Sequence, residues 1–185
     1  VKSVNMAQAS PVNFYTSHTP TGIEDCHPVH GCRLNDGSFV AVGKGIETGT
    51  QLRRAFAFAM SSTGAKLWQW TTPTNGVSDA ANAVLALPDN LHVIVVGFKS
   101  DGGVYKRSIT KLKVSDGTEV WTATWASPNA ANQGAWENVD ITADKASIIL
   151  TGTYECSAGQ DGFSFKSCTA RARLPERYRP TFPHP

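Results

Sequence analysis

Short apolar segments separated by turn-forming residues run along the whole chain. In the stretch 81–121, the segments Leu91–Gly97 and Ser108–Val114 are rich in Val, Ile, Leu and Thr, and Pro, Asp, Asn or Gly residues bound each of them. Runs of this length and composition predict short antiparallel strands joined by tight turns. No segment keeps an apolar period of about 3.6 residues, so we expect no long helix.

The strand pattern repeats along the chain. Val93–Gly97 resembles both Phe39–Gly43 and Ile148–Gly152, and the numbers of the closing glycines differ by almost the same amount (97 − 43 = 54, 152 − 97 = 55). Gly64 and Gly117, in later turns of the first two units, have a similar spacing (117 − 64 = 53). A period of about 50 residues with four strands in each unit predicts the blades of a β-propeller.

We therefore predict an all-β protein with about three blades, each a four-stranded antiparallel sheet, in a partial propeller or one completed by oligomerisation. The segment Phe14–Asp25 matches Trp68–Asp79, which follows it after one repeat period (68 − 14 = 54). This match indicates an outer strand that stands before the first complete blade. The predicted units are an orphan outer strand (12–19), blades at 29–72 and 82–125, an incomplete blade (136–168) and a basic tail rich in Pro and Arg (169–185).

Two turns of the chain carry a family resemblance. Thr63–Trp68 and Asp116–Trp121 both contain Gly-x-x-x-Trp, which resembles the repeats of quinoprotein-like propellers and the β-propeller repeats of bacterial secreted and surface proteins. In such repeats the tryptophan docks on the adjacent blade. The resemblance thus implies blade-packing roles for Trp68, Trp121 and, at the matching place, Phe14. The third unit departs from the pattern, because no Gly-x-x-x-Trp follows Phe163–Lys166.

The four cysteines form two near-neighbour pairs. Cys26 lies just before the first predicted strand and Cys32 lies within it, while Cys156 and Cys168 flank a predicted hairpin. This spacing suits the disulfides Cys26–Cys32 and Cys156–Cys168, although four cysteines allow three pairings and four free buried thiols are the alternative. Because disulfides persist in oxidising compartments, we expect an extracytoplasmic protein, secreted, periplasmic or lumenal.

A pair of basic residues recurs in the first two blades. Arg53 and Arg54 match Lys106 and Arg107 at one constant spacing (106 − 53 = 107 − 54 = 53). Placed at the start of equivalent strands, they would form a basic row that could bind a partner, with ordinary solvated charge as the alternative. The net charge of +2 is too small to predict a nucleic-acid partner. The sequence holds no apolar run of about 18 residues, so we expect no membrane span.

Candidate chemistry is sparse. The segment Cys26–Cys32 also contains His27 and His30, but four ligands on one metal ion would be cramped there, and a disulfide-closed loop with two solvated histidines is the favoured interpretation. We assign no catalytic, metal or cofactor residue. The sequence favours a non-enzymatic binding or assembly module that contacts other protein chains, in a homo-oligomer or a larger complex. The alternatives are a fragment or subunit of a quinoprotein-like enzyme and a purely structural subunit.

Overall fold

The computed structural model describes residues 19–73, 78–101, 103–125, 133–159 and 162–173, and it describes no side chains for 154–159, 162–168 and 173. This part of the chain is all-β and contains eleven strands and no helix. The strands form three antiparallel sheets, two with four strands and one with three. The predicted all-β class is therefore confirmed, as is the division into successive antiparallel sheets.

Each sheet is built from consecutive strands in chain order. The first sheet contains β1 (Ile23–Arg33), β2 (Phe39–Glu47), β3 (Arg53–Met60) and β4 (Lys66–Thr71). The second sheet contains β5 (Asp79–Ala86), β6 (His92–Asp101), β7 (Val104–Lys113) and β8 (Glu119–Trp125). The third sheet contains β9 (Gly134–Ile141), β10 (Ser147–Gly159) and β11 (Gly162–Arg173).

Asp-Gly pairs close the hairpins for a local reason. Gly37 and Gly117 adopt φ values of 85° and 73°, a left-handed conformation that favours glycine. The preceding carboxylates brace the turns, because Asp36 Oδ1 accepts a hydrogen bond from Ser38 N at 2.9 Å and Asp116 Oδ1 accepts one from Thr118 N at 2.8 Å. These turn residues fix where β2 and β8 begin.

The repeated glycine of the second strand has a packing role. A Cβ atom on Gly97 would fall against the carbonyl oxygen of Ala80 in β5, closer than any real contact. Gly43 and Gly152 meet the first strands of their own sheets in the same way, at the carbonyls of His27 and Ala135. The first strand of each sheet crosses the second closely at this point, so only glycine fits.

The three sheets pack face to face in chain order. One apolar cluster joins the first sheet to the second and includes Val40, Val42 and Val95. A separate cluster joins the second sheet to the third and includes Ile94 and Trp136. The first strands of the second and third sheets, β5 and β9, each contact several strands of the preceding sheet. The core therefore lies between the sheets, as in a stack of successive layers.

Opposite faces of the first sheet carry different side chains. Ala55, Ala57 and Ala59 of β3 face the second sheet, where they join the shared cluster. Phe56 and Phe58 lie on the opposite face, and both are buried. The small alanine side chains allow the backbones of the first and second sheets to approach each other, while the phenylalanines form a separate apolar cluster on the opposite face of the first sheet.

Several predicted boundaries differ from the structure. The first strand begins at Ile23, six residues before the predicted Val29, and β10 and β11 occupy most of the predicted loop 156–162. The third strand of the third sheet continues to Arg173, so five residues of the predicted tail belong to the sheet. The remaining tail (174–185) and almost all of the orphan strand (12–18) lie outside the described residues.

The predicted Cys26–Cys32 disulfide is wrong, because both cysteines are free thiols. They lie six positions apart within the single strand β1, and a strand rises about 3.3 Å per residue. Their Cα atoms are therefore held well beyond the roughly 4.4–6.8 Å that a disulfide spans. The prediction failed because it placed a loop before Val29 where the strand already runs.

The second predicted pairing, Cys156–Cys168, falls on side chains outside the described residues. The backbone register sets Cys168 opposite Gly152, and Cys156 lies four positions further along β10. Four positions correspond to about 13 Å of strand, so this register keeps the two backbones farther apart than a disulfide spans. The extracytoplasmic location rested on these pairings and stays a prediction.

Candidate interaction surface

At the outer strands, a tryptophan of the first sheet packs against the second sheet. Trp68 of β4 is 6% exposed, and its indole Nε1 donates a hydrogen bond to the carbonyl oxygen of Val114 at 2.6 Å. The ring lies against the turn between β7 and β8, where a Cβ atom on Gly117 would come within 2.5 Å of it. Trp70 Nε1 also donates to Glu119 Oε2 of β8, at 3.2 Å. The outer strands of the two sheets are thus locked together.

The junction that results is tightly filled. A cavity of only about 10 Å³ remains between the first and second sheets, beside Trp70 and Thr72. Such a volume is about that of one water probe, so this interface is packed nearly as densely as a protein interior.

The corresponding place between the second and third sheets is open. Trp121 and Trp125 of β8 lie opposite Lys111 and Arg107 of β7, on the side that faces the third sheet. They are 43% and 45% exposed. In the described residues the third sheet has no fourth strand, so nothing there takes the position that β8 takes beside Trp68.

An apolar groove of about 310 Å³ occupies this position. We call it the outer groove. It is lined by residues of the second sheet and of the third sheet: Arg107, Ile109, Trp125, Trp136, Leu150, Ala170, Arg171 and Ala172. The groove is about thirty times larger than the cavity at the first junction, as expected where the described residues provide no fourth strand for the third sheet.

One arginine side chain, that of Arg107, gives the apolar groove a positive charge. The guanidinium carbon of Arg107 lies 4.9 Å from the centre of the Trp136 ring, a cation–π contact at the groove wall. Arg171 lies at the margin of the groove, but it pairs with Ile149, so its exposed side chain is on the opposite face of the third sheet, where its Nη2 lies 4.0 Å from Asp144 Oδ2. The buried Nε1 of Trp136 has no hydrogen-bond acceptor among the described residues. An occupant with a carboxylate oxygen would therefore meet the positive charge of Arg107 at the groove wall.

One wall of the groove is the edge of a sheet. The strands β3 and β7 pair on both sides, whereas β11 pairs only with β10 in the part of the chain that the structure describes. Ala170 and Ala172 face the groove with small side chains, and Ala172 is exposed. An unpaired strand edge presents a row of N–H and C=O groups that can pair with another strand.

The predicted basic row is not a single row in the structure. Arg54 is 5% exposed, and its Nη1 lies 2.7 Å from Glu47 Oε1 in an ion pair on the first sheet. Arg53 is exposed, Lys106 pairs with Asp101, and Arg107 stacks on Trp136 in the outer groove. Only Arg107 contributes to the surface described above.

A shift in register explains why these residues separate. Gly43 pairs with Phe56 and Gly97 pairs with Ser108, so Phe56 of β3 corresponds to Ser108 of β7. Equivalent positions in β3 and β7 are therefore 52 residues apart (108 − 56), one less than the spacing of 53 that matched Arg54 with Arg107 in the sequence. In the structure Arg54 corresponds to Lys106. Because alternate residues of a strand face opposite sides, a one-residue error exchanges the two faces of the sheet.

The predicted packing residues have different surroundings. Trp68 lies against the second sheet as described above, Trp121 is partly exposed beside the outer groove, and Phe14 lies outside the described residues. Sequence reasoning missed Trp125, Trp136 and Ala170. The signal for Trp125 was present, because a unit without an outer strand leaves the outer strand of its neighbour uncovered.

The cysteine and histidine segment shows no ligand cluster. Among the described residues, no group of three or more His, Cys, Asp or Glu side chains could hold a metal ion. Burial raises the pKa of Cys32 to about 11 and raises the pKa of Cys26. His27 Nε2 lies 3.3 Å from Asp25, and His30 Nδ1 accepts a hydrogen bond from Val84 N at 3.3 Å. These contacts are structural.

One buried carboxyl group was also missed. Asp79, at the start of β5, is fully buried, and its Oδ1 accepts a hydrogen bond from Ser100 N at 2.9 Å. Burial raises the pKa of Asp79, and the hydrogen bond from Ser100 opposes this rise. The side chain fastens the start of β5 to the end of β6.

The chain matches no protein-family model and no curated protein sequence. Within the described residues, no helix is long and apolar enough to cross a membrane.

Proposed function

We propose that the protein is a non-enzymatic binding or assembly module, built from β-propeller blades, that accepts a β-strand from another protein chain in the outer groove. In this proposed function the three antiparallel sheets are blades, and a fourth strand adds at the edge of β11 that has no partner among the described residues. A strand that pairs with a sheet edge gains main-chain hydrogen bonds, and neighbouring pockets give it specificity.

The observation that carries the proposal is the contrast between the two junctions. The same position is closed beside Trp68, which is 6% exposed, and open beside Trp125, which is 45% exposed. Exposed tryptophans in an apolar groove are typical of protein interfaces, where Trp and Arg supply much of the binding energy. The groove also offers the guanidinium group of Arg107, so an occupant with neutral or acidic side chains fits it best.

A peptide of residues 64–72, which includes the natural outer strand β4, is a suitable probe. We expect the fluorescein-labelled peptide to bind the full chain, as measured by fluorescence anisotropy. The variant Trp125→Asp should weaken this binding about tenfold or more, because it places a carboxylate where the strand would pack. The matched control is Leu91→Asp, since Leu91 is exposed but lies outside the groove.

Binding that is equal in the two variants would show that the groove is not the strand-binding surface. A chain that light scattering shows to be monomeric, and that still does not bind the peptide, would refute the proposed function.

A further inference from the structure

The residues that precede β1 have the spacing of an outer strand and its connection. Phe14 precedes Asp25 by the same interval that separates Trp68 from Asp79 (25 − 14 = 79 − 68). The residues between Trp68 and Asp79 connect β4, the outer strand of the first sheet, to β5, the first strand of the second sheet. An outer strand at 12–17 should therefore belong to a sheet adjacent to the first one.

The chain approaches β1 from the side that faces away from the second sheet. Thr21 N donates to Gln69 Oε1 at 2.9 Å, and Gln69 Nε2 donates to the carbonyl oxygen of Thr21 at 3.3 Å. Gln69 pairs with Phe58, whose side chain lies on the face opposite the shared cluster. The adjacent sheet that receives residues 12–17 should therefore lie on this face.

The third sheet of the same chain is not placed to be that neighbour. Its apolar face packs on the second sheet through Ile148 and Leu150. On its opposite face Ile149 is 37% exposed and Thr151 is exposed, so the first sheet does not cover these residues. The connection between residue 17 and β1 is long enough to step between adjacent sheets, which are about 10 Å apart.

We propose that the strand in the outer groove is formed by residues 12–17, which include Phe14 and Tyr15, donated by a second copy of this chain. The inference rests on the proposed function and names its partner. The donated strand pairs antiparallel with β11, as β4 pairs with β3 and β8 with β7. Two copies that exchange this strand reciprocally form a symmetric dimer, in which each outer groove is filled by the other copy.

The repeat assigns the side chains of the donated strand to two faces. Tyr15 corresponds to Gln69 (69 − 15 = 54). A residue at this position faces the preceding sheet. In the third sheet the preceding sheet is the second one, so Tyr15 packs into the groove against Trp121 and Trp125. Phe14 corresponds to Trp68 and turns to the other side, toward the turn at Gly64 of its own first sheet. Ser10 stands where Gly64 and Gly117 stand in their hairpins, which suits a strand that is not joined to β11 by a turn.

Light scattering of the full chain during gel filtration tests this inference. We expect the wild-type chain to have the mass of two chains. Tyr15→Asp removes the donor contact and Trp125→Asp removes the acceptor contact, so each variant alone should associate at least about tenfold more weakly and elute as a monomer. Leu91→Asp should remain a dimer.

Mixing the two monomeric variants gives the decisive measurement. Tyr15→Asp keeps an intact groove and Trp125→Asp keeps an intact strand, so an equimolar mixture should regain the mass of two chains through one intact contact. This complementation also shows that both variants are folded. A monomeric wild-type chain, or a mixture that stays monomeric, would overturn the inference.

The proposed function can survive the failure of this inference, and the measurements separate the two. If the wild-type chain is monomeric but binds the labelled peptide of residues 64–72, the groove accepts strands and the donor is another protein. If Trp125→Asp is monomeric while Tyr15→Asp remains a dimer, the groove is used and a different segment fills it. Support for both requires that the Tyr15→Asp monomer binds the peptide more tightly than the dimeric wild type, because its groove is vacant.

Discussion

Replacing Gly117 by alanine should weaken the contact that locks the first two sheets together. Gly117 has a φ of 73°, and a Cβ atom there would lie 2.5 Å from Cε3 of the Trp68 ring. The left-handed backbone costs about 1–2 kcal/mol for a residue with a Cβ atom. Forcing the methyl group against a buried ring costs about a further 1–3 kcal/mol. We therefore expect Gly117→Ala to lower the free energy of unfolding by about 2–5 kcal/mol.

Gly49→Ala separates the two contributions. Gly49 has a φ of 78°, but nothing lies within 4 Å of the position of its Cβ atom. This variant should therefore lose only the backbone contribution of about 1–2 kcal/mol. The difference between the two variants isolates the cost of the contact with Trp68.

Urea unfolding monitored by circular dichroism measures both values, provided that the slopes of the transitions agree. In thermal unfolding, each kcal/mol should appear as a shift of about 2–4 °C for a domain of this size. Combining Gly117→Ala with Trp68→Ala should give less than the sum of the single effects, because the second change removes the obstructing ring. Equal destabilisation by Gly117→Ala and Gly49→Ala, or strictly additive effects in the double variant, would show that the contact between Trp68 and Gly117 does not stabilise the junction of the two sheets.

Three further predictions concern buried polar groups and thiols. Arg54→Ala should destabilise the fold by about 3–5 kcal/mol in urea unfolding, because it leaves the carboxylate of Glu47 in a buried site, whereas Lys106→Ala, at an exposed ion pair, should change little. Burial raises the pKa of Asp79, so the folded protein binds this proton more tightly than the unfolded chain does. The wild type should therefore lose stability relative to Asp79→Asn as the pH rises above about 4, the usual pKa of an unfolded aspartate. A relative stability that does not change with pH would contradict this. Peptide mapping without reductant should find free thiols at Cys26 and Cys32, and the pKa of about 11 at Cys32 should make its alkylation at pH 8 about a hundredfold slower than that of an unperturbed cysteine.

The sequence predicted the strands well because local signals determine them. Asp-Gly turns such as Asp36-Gly37 end one strand and begin the next with a defined backbone geometry. The repeated glycine at Gly43 and Gly97 marks the close crossing of two strands, which recurs once in each sheet. These features depend on a few neighbouring residues, so they are visible without any knowledge of the packing.

Features that depend on register were not predictable from the repeat alone. The offset between equivalent positions is larger at Gly43 and Gly97 (97 − 43) than at Phe56 and Ser108 (108 − 56), because the connection between the second and third strands is shorter in the second sheet. A single period therefore assigned Arg54 to the wrong face. The groove was missed for the same reason, since it depends on which alternate residues of β8 and β11 face each other.

The distribution of apolar surface indicates that the strand added in the outer groove, rather than the face of the third sheet that points away from the second sheet, makes the main contact with a partner. That face exposes Thr151, Thr169 and Arg171, with Ile149 only 37% exposed among them. The outer groove instead brings together Trp125, Ile109 and Leu150 beside β11, which pairs only with β10 in the described part of the chain. This polar face gains little by apolar burial, whereas a strand in the groove pairs its own backbone groups and covers the exposed indoles. A partner is therefore expected to extend the third sheet by one strand at β11, and the far face needs only the contacts that follow from this addition.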